Sequence, residues 1–457
     1  MKVVIFGAGR VGYEIAKQLS FEEYNVSIVD YNKEILRKIN EKLDVKAVYG
    51  DIVDLAVLEE AGADEADIVI ATTSSDETNI VACQIASFIF GVETKIAVLS
   101  NKSYIMNAKL FGKNKFAIDM KASPEIEISS IIVRSLSVYG ALDVISCIDN
   151  RLRIVGVQCT RKTSFINAPI RSIHNVSNNA PIAILFIERD GKSFIPRKTT
   201  IIMDNDKVYL VIKQEDLNKI MELFGYSERV ENRVLLVGGG KIAEEIAKSV
   251  QGLNTDISVK IIERNMKRAE ELSEDLQDIE IIHGDALDFE ILSESIADGV
   301  NTVISTTGDD KKNILSCLLA KKCGARKIAA MVNSITNIPL LQALGINTIL
   351  DSRKAIVSKI LHYIKNGNVD NVFTFADDSI EIFIINIVDS SRAIGVLIED
   401  ICPDETVAVS CLVREDKVHM TPKRMVINAG DKIVLVSSKD SVHKINNLFK
   451  EKPKYLY

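Results

Sequence analysis

The chain has 457 residues, 47% of them apolar and 26% charged, with a net charge of −7. That is a globular composition sized for about three or four domains, and its acidic balance argues against a general nucleic-acid role, which normally shows a basic face. Seven cysteines without a CxxC pair and the lack of tryptophan speak against a disulfide framework, a zinc site and an aromatic platform.

From Met1 to about Met120, short apolar runs alternate with helical periods. Lys2–Phe6, Val26–Val29, Ala47–Tyr49, Asp67–Ala71 and Lys95–Leu99 read as strands. Val11–Ser20, Lys33–Lys42, Asp54–Ala61 and Asn79–Phe90 read as helices. Such alternation predicts a doubly wound parallel α/β sheet of the Rossmann type. A connecting helix is expected over residues 121–139, with Ser123 as cap and Pro124 in its first turn. The character then changes. Val144–Cys147, Arg153–Cys159, Ile182–Glu188 and Lys207–Ile212 are strand-like, and Leu217–Phe224 closes a small α+β module over 140–226. A polar joint at Ser227–Asn232 follows. The pattern then starts again, with a second Rossmann-type domain over 232–350, a connecting helix over 351–367 and a second module over 368–452. The first residues, KVVIF, already read as a strand, so no leader segment is expected. The most apolar runs, such as Ile80–Val92, are interrupted by Gln84 and Ser87. They fall short of the roughly 18 residues that a membrane helix needs.

The repetition extends to individual residues. VVIFGAGRVGYEIAK at Val3–Lys17 recurs as VLLVGGGKIAEEIAK at Val234–Lys248. SIVD ending at Asp30 recurs as KIIE ending at Glu263, and VYGD ending at Asp51 as IHGD ending at Asp285. ATTSSDETNI at Ala71–Ile80 recurs as STTGDDKKNI at Ser305–Ile314. The chain is a tandem duplication, and any functional reading has to explain why two similar sites share one polypeptide.

Each copy opens with a glycine turn between a strand and a helix: Gly7-Ala8-Gly9-Arg10-Val11-Gly12 and Gly238-Gly239-Gly240-Lys241-Ile242-Ala243. The first glycine permits the tight turn, the second lets a pyrophosphate approach the backbone, and the third packs helix on strand. The helix N-terminus offers free N–H groups to phosphate. Asp30 and Glu263, at the end of the second strand of each copy, stand where a carboxylate meets ribose hydroxyls. A free 2′-hydroxyl is implied, hence NAD(H) or an adenosine phosphate such as ATP or ADP rather than NADP. The loop after the fourth strand, Thr72 to Glu77 with its twin Thr306 to Asp310, faces the same edge and places Thr73, Ser74 and Thr307 near the ligand. Ser74 and Glu77 also have capping-box spacing. Asp51 and Asp285 lie at that edge either as ligand contacts or as caps of the next helix.

Catalytic machinery is not evident. A dehydrogenase needs an acid or base beside the nicotinamide, and no histidine precedes His174. Tyr13 and Lys17 have Tyr-x-x-x-Lys spacing but stand on the helix behind the glycine loop. No GxxxxGK[ST] occurs, no metal-ligand cluster is spaced in sequence, and lone His283 reads as structural. No catalytic residue and no metal are expected.

GAGRVG at Gly7, Asp30, YGD at Asp51, AGADEAD at Ala61–Asp67 and TTSSDETN at Thr72–Asn79 resemble the RCK/KTN domain family, which regulates potassium conductance. VGGGKIAEEIA at Val237–Ala247 and IERN beginning at Ile262 extend the resemblance over essentially the whole chain. The resemblance implies tandem nucleotide domains, each followed by a small C-terminal module. It implies a cytoplasmic protein, peripheral at the inner face of the membrane, that forms a homo-oligomer, a tetramer, beneath a membrane potassium-conducting subunit of the Trk type. It also implies NAD(H) or adenine nucleotides at Gly7–Val11, Asp30, Asp51, Thr73 and Ser74, and at Gly238–Ile242, Glu263, Asp285 and Thr307. One departure stands out. The family often carries arginine in the fifth strand, where this chain has Val98 and Ser100, so the first site lacks that phosphate partner. Regulation of another cation transporter is the alternative reading, and NAD-dependent oxidation a remote one.

Overall fold

The computed structural model describes all residues except 112–114, 174–180, 227–231, 253–256, 335–337, 347, 366–368, 376–378, 402–405, 423 and 450–457. The polar joint over 227–231, His174 and the junction at 366–368 therefore lie outside the described residues. The chain divides into two compact units. One takes residues 1–130, 234–252 and 259–364, and the other takes the rest.

The first unit holds two parallel six-stranded sheets. Strands β1 (Lys2–Phe6), β2 (Asn25–Asp30), β3 (Lys46–Tyr49), β4 (Ile68–Ala71), β5 (Thr94–Val98) and β6 (Met120–Ala122) lie in the order β3-β2-β1-β4-β5-β6. Their helices are α1 (Arg10–Phe21), α2 (Lys33–Asn40), α3 (Leu55–Ala61), α4 (Asp76–Phe88), α5 (Lys102–Met106) and α6 (Pro124–Leu136). The order reverses direction beside β1, which opens a crevice at the carboxyl ends of β1 and β4, where ligands of such folds bind. Alternation along the strands sorts the core into two faces. Val3, Ile5, Ile28 and Ile70 meet Ile15 and Leu19 of α1. Val4, Phe6, Val29 and Val69 meet Leu58 of α3 and Ile80, Cys83 and Ala86 of α4. The sequence reading gave five strands. The short sixth, Met120–Ala122, has too few residues for a periodic signal.

The second sheet repeats the first. It comprises β12 (Asn232–Val237), β13 (Ile257–Glu263), β14 (Glu280–His283), β15 (Thr302–Ser305), β16 (Lys327–Met331) and β17 (Thr348–Leu350), in the order β14-β13-β12-β15-β16-β17. The helices are α8 (Lys241–Gly252), α9 (Met266–Asp275), α10 (Phe289–Ala297), α11 (Asp310–Lys322), α12 (Ile338–Ala343) and α13 (Ser352–Lys365). Although α13 follows the second sheet in the chain, its Ile356, Val357, Ile360 and Leu361 complete the core of the first. An ion pair from Lys359 to Glu127 ties it to α6. Two further contacts join the copies. Lys102, beyond β5, pairs with Glu245 on α8, and the Arg10 guanidinium donates to the Asn333 carbonyl at 3.4 Å.

The second unit holds the two small modules. Strands β7 (Ala141–Cys147), β8 (Leu152–Gln158), β9 (Ile182–Arg189), β10 (Lys192–Phe194) and β11 (Lys207–Lys213) order as β10-β9-β11-β8-β7, with α7 (Leu217–Leu223) after them. Strands β18 (Val369–Phe375), β19 (Ile380–Asn386), β20 (Val407–Arg414), β21 (Lys417–Met420) and β22 (Lys432–Ser438) form the order β18-β19-β22-β20-β21, which is the same topology. Helices α14 (Ile398–Ile401) and α15 (Val442–Phe449) belong to it. One face of the first sheet packs on Leu217, Ile220 and Met221. One face of the second packs on Ile398, Ile401, Ile445 and Phe449. The remaining faces share one core, in which Ile145, Ile154 and Val211 meet Ile382, Cys411 and Val434. In each module an arginine grips a buried aspartate through two N–H groups: Arg189 with Asp206 at 2.7 Å, and Arg414 with Asp431 at 2.7 and 2.8 Å.

Candidate nucleotide sites

The crevice of the first sheet is built around the turn between β1 and α1. Gly7 has φ +98°, a left-handed conformation open to glycine. A Cβ on Gly12 would overlap the Gly7 carbonyl oxygen and approach Thr72 Oγ1 to 2.8 Å, so helix and turn touch only because the position is bare. A Cβ on Gly9 would meet nothing within 4 Å. The turn is therefore open on the side where a phosphate would approach. Helix α1 also starts without a side-chain cap at Gly9, whereas α2, α3, α4 and α5 are capped by Asn32, Asp54, Ser75 and Asn101. Its first N–H groups keep the capacity to bind an anion. Arg10 and Val11 open this helix, with Arg10 exposed.

Asp30 stands beside the turn and accepts from the backbone N–H of Ala8 at 2.6 Å and of Asn32 at 2.8 Å. The second copy repeats this: Glu263 accepts from Gly239 N–H at 2.7 Å and Asn265 N–H at 2.6 Å. Each carboxylate is thus oriented by backbone, at the ribose position of the fingerprint. Gly238 has φ +94°, and a Cβ on Gly240 meets nothing within 4 Å. Ala243 takes the place of Gly12, and the turn is looser there. Thr306 Oγ1 lies 3.3 Å from the Gly238 carbonyl, against 3.0 Å from Thr72 Oγ1 to the Gly7 carbonyl. In both copies the residues fit a dinucleotide or adenosine phosphate, since open turn, free helix N-terminus and carboxylate converge.

A cavity of about 380 Å³ occupies the second crevice. Of the expected residues, Gly238, Gly240, Glu263, Asp285 and Thr307 line it. Gly239, Lys241 and Ile242 are not in its wall; Gly239 holds Glu263, while Lys241 and Ile242 begin α8. Thr306, Gly308 and Asp309 of the expected loop line it too, and so do Arg264, Lys312 and Gly284, which the sequence reading does not single out as site residues. Lys311-Lys312 stands out in sequence only against its twin Glu77-Thr78.

Three local details correct or extend the sequence reading. The cap of α4 is Ser75, which accepts from Thr78 N–H at 3.1 Å, so the capping-box spacing from Ser74 does not apply; Glu77 receives the Ser75 hydroxyl at 3.2 Å instead. Asp51 and Asp285 cap no helix, because Asp54 and Asp288 do so. Each closes a turn two residues on, to Val53 N–H at 3.1 Å and to Leu287 N–H at 3.0 Å. Finally, Asn79 and Asn313 are fully buried hubs. Asn79 accepts from Thr73 N–H and Oγ1 and donates to the Thr73 and Val98 carbonyls. Asn313 does the same with Thr307 and Met331. They fix the loops at the crevice, and their retention in both copies was the available signal.

His283 faces the Arg264 carbonyl at 3.2 Å, and Lys17 pairs with Glu14. No group of three or more metal-ligating side chains occurs among the described residues. Burial pushes the thiols of Cys83 and Cys147 up to about 12 and that of Cys317 up to about 11, which leaves them unreactive. No helix among the described residues is long and apolar enough to cross a membrane.

The TrkA-N domain model matches residues 3–118 and 234–352, and the TrkA-C domain model matches 160–225. The chain is 33% identical to the Trk system potassium uptake protein TrkA of Azorhizobium caulinodans, covering 98% of this chain and 99% of that one. It is 32% identical to the protein of the same name from Vibrio alginolyticus, end to end. Among solved structures it resembles the GsuK channel bound to NAD, with TM-score 0.61 and 18% identity over 98% of this chain and 78% of that one, a likeness of fold. The chain therefore belongs to the TrkA family, the non-enzymatic regulatory proteins of the Trk potassium uptake system.

Proposed function

We propose that NAD(H) or an adenine nucleotide binds both glycine turns and biases this protein between conformations that set the conductance of a Trk-type membrane subunit. The observation that carries this is the convergence, twice in one chain, of an open turn, an uncapped or bare helix start and a backbone-oriented carboxylate. The solved channel of similar fold with NAD bound adds support. A ligand shifts such an equilibrium only by its differential affinity for the two states. Coupling of roughly 1–3 kcal/mol per site is typical, and two sites per chain in a homo-oligomer, a tetramer, sum such increments. The Lys102–Glu245 and Arg10–Asn333 contacts set the first helix of each copy, which opens at its glycine turn, against the segment after the fifth strand of the other. Occupancy at one site therefore has a short route to its twin.

Calorimetric titration with NADH, NAD, ATP and ADP tests the reading, alongside Asp30→Ala and Glu263→Ala. Saturable binding lost one copy at a time, without ligand turnover, and nucleotide-dependent potassium flux in the reconstituted complex are expected. Absence of binding to the unmodified chain refutes it.

A further inference from the structure

The two crevices share a backbone plan but differ in side chains at two places, the start of the helix after the fourth strand and the end of the second strand. In the first copy α4 begins Ser75-Asp76-Glu77-Thr78. The Thr78 hydroxyl is spent on Ser75 Oγ at 2.9 Å, and Glu77 accepts from the Tyr104 hydroxyl at 3.1 Å. In the second, α11 begins with Asp310-Lys311-Lys312 after the cap Asp309, which accepts from the N–H groups of Lys311 and Lys312. Asp76 and Asp310 are equivalent and neutral in the comparison. Each is absorbed by backbone N–H groups beyond the fifth strand, Ser100 and Asn101 in one case and Asn333 and Ser334 in the other.

Lys312 is half-buried, lines the cavity and forms no ion pair with any described residue. Arg264 lines the same cavity from the end of β13, beside Glu263, with Asp285 3.8 Å away. Tyr31 holds the Arg264 position in the first copy, and Thr78 the Lys312 position. The second cavity thus has two cations in its wall, Lys312 and the Asp285-paired Arg264, together with the acidic cap Asp309, where the first copy has neutral Thr78, Tyr31 and Ser75 at the matching positions and Glu77 next to Thr78.

We infer that Lys312 makes the second site selective for a nucleotide ending in a free phosphate, an adenosine di- or triphosphate, and that the first site favours a dinucleotide whose far end is an uncharged riboside. This rests on the nucleotide-binding reading of the glycine turns. A lysine beside a terminal phosphate supplies a charge-assisted hydrogen bond that strengthens with each added phosphate charge. It gives nothing to a ligand that has no phosphate there. Thr78, already bonded within its own loop, cannot replace it.

The test uses the full chain carrying Asp30→Ala, so that the second site is read alone, titrated with AMP, ATP and NADH. Adding Lys312→Thr should lower the ATP-over-AMP affinity ratio by about tenfold, the size of one such contact. AMP and NADH binding should stay unchanged, and Lys312→Arg should keep the ratio. In the Glu263→Ala background, Thr78→Lys should raise the same ratio at the first site. Hydrogen exchange over Gly238–Ile242 in the otherwise unmutated chain reads the second turn independently of Asp30: ATP protection there should fall with Lys312→Thr. A ratio unmoved by Lys312→Thr, with nucleotides still bound, overturns the assignment and leaves the nucleotide reading standing. No binding to the unmodified chain overturns both.

Discussion

Gly12→Ala tests whether the close contact between turn and helix is what shapes the first site. The added methyl overlaps the Gly7 carbonyl oxygen and lies 2.8 Å from Thr72 Oγ1. The first of these is backbone, so relief requires α1 to move away from the turn. Overpacking of this kind costs about 1–3 kcal/mol, while replacing a helical glycine by alanine returns up to about 1 kcal/mol. A net loss of about 1–2 kcal/mol follows. The same displacement separates the α1 N-terminus from any phosphate held at Gly9, so NADH affinity at this site should fall about tenfold, the equivalent of 1.4 kcal/mol. Ala243, which fills the matching position in the looser second turn, supplies the control. Ala243→Gly should leave second-site affinity within about twofold and cost about 1 kcal/mol or less in helix stability. Calorimetry of both variants, with hydrogen exchange of the α1 amides for local stability, measures both quantities. Unchanged exchange and unchanged NADH affinity in Gly12→Ala would refute the argument from contact geometry.

Ile360→Ala should destabilise the first Rossmann-type domain rather than the second. Its side chain is fully buried in the core shared with β1, β4 and α1, so about 2–5 kcal/mol is at stake, read as faster exchange of the β1 and β4 amides. The buried thiols of Cys83 and Cys147 should resist iodoacetamide at pH 8 in the native chain and react once it is unfolded. The ordinary thiol value is 9.0, and burial raises both to about 12 in the fold. Unfolding therefore releases protons between those values, and stability falls as pH rises through that window and is unaffected below it. Rapid native labelling at either residue would contradict the burial argument.

Much of the backbone frame of the candidate sites was legible in the chain because its signals are local. The glycine spacing, the carboxylate ending the second strand and the strand–helix alternation each span a few residues, and duplication states them twice. The conformation of Gly7 and the open side of Gly9 follow from that spacing. What the sequence left open depended on groups brought together from afar. Whether Ser74 or Ser75 caps α4, and whether Asp51 caps α3, is a competition among neighbours with similar chemistry, decided by where the helix axis must lie to bury Ile80 and Leu58. Lys312 carries no motif and acquires meaning only as a wall of a cavity shared with Glu263 and Arg264. The partner of a core face is likewise silent in a periodic pattern, because amphipathicity marks which side is buried and not against what. The sequence reading expects a connecting helix over 351–367, where α13 stands with an apolar stripe. Only the tertiary structure assigned that stripe to a sheet built from the other end of the chain, and the free sheet faces of the two modules to one another.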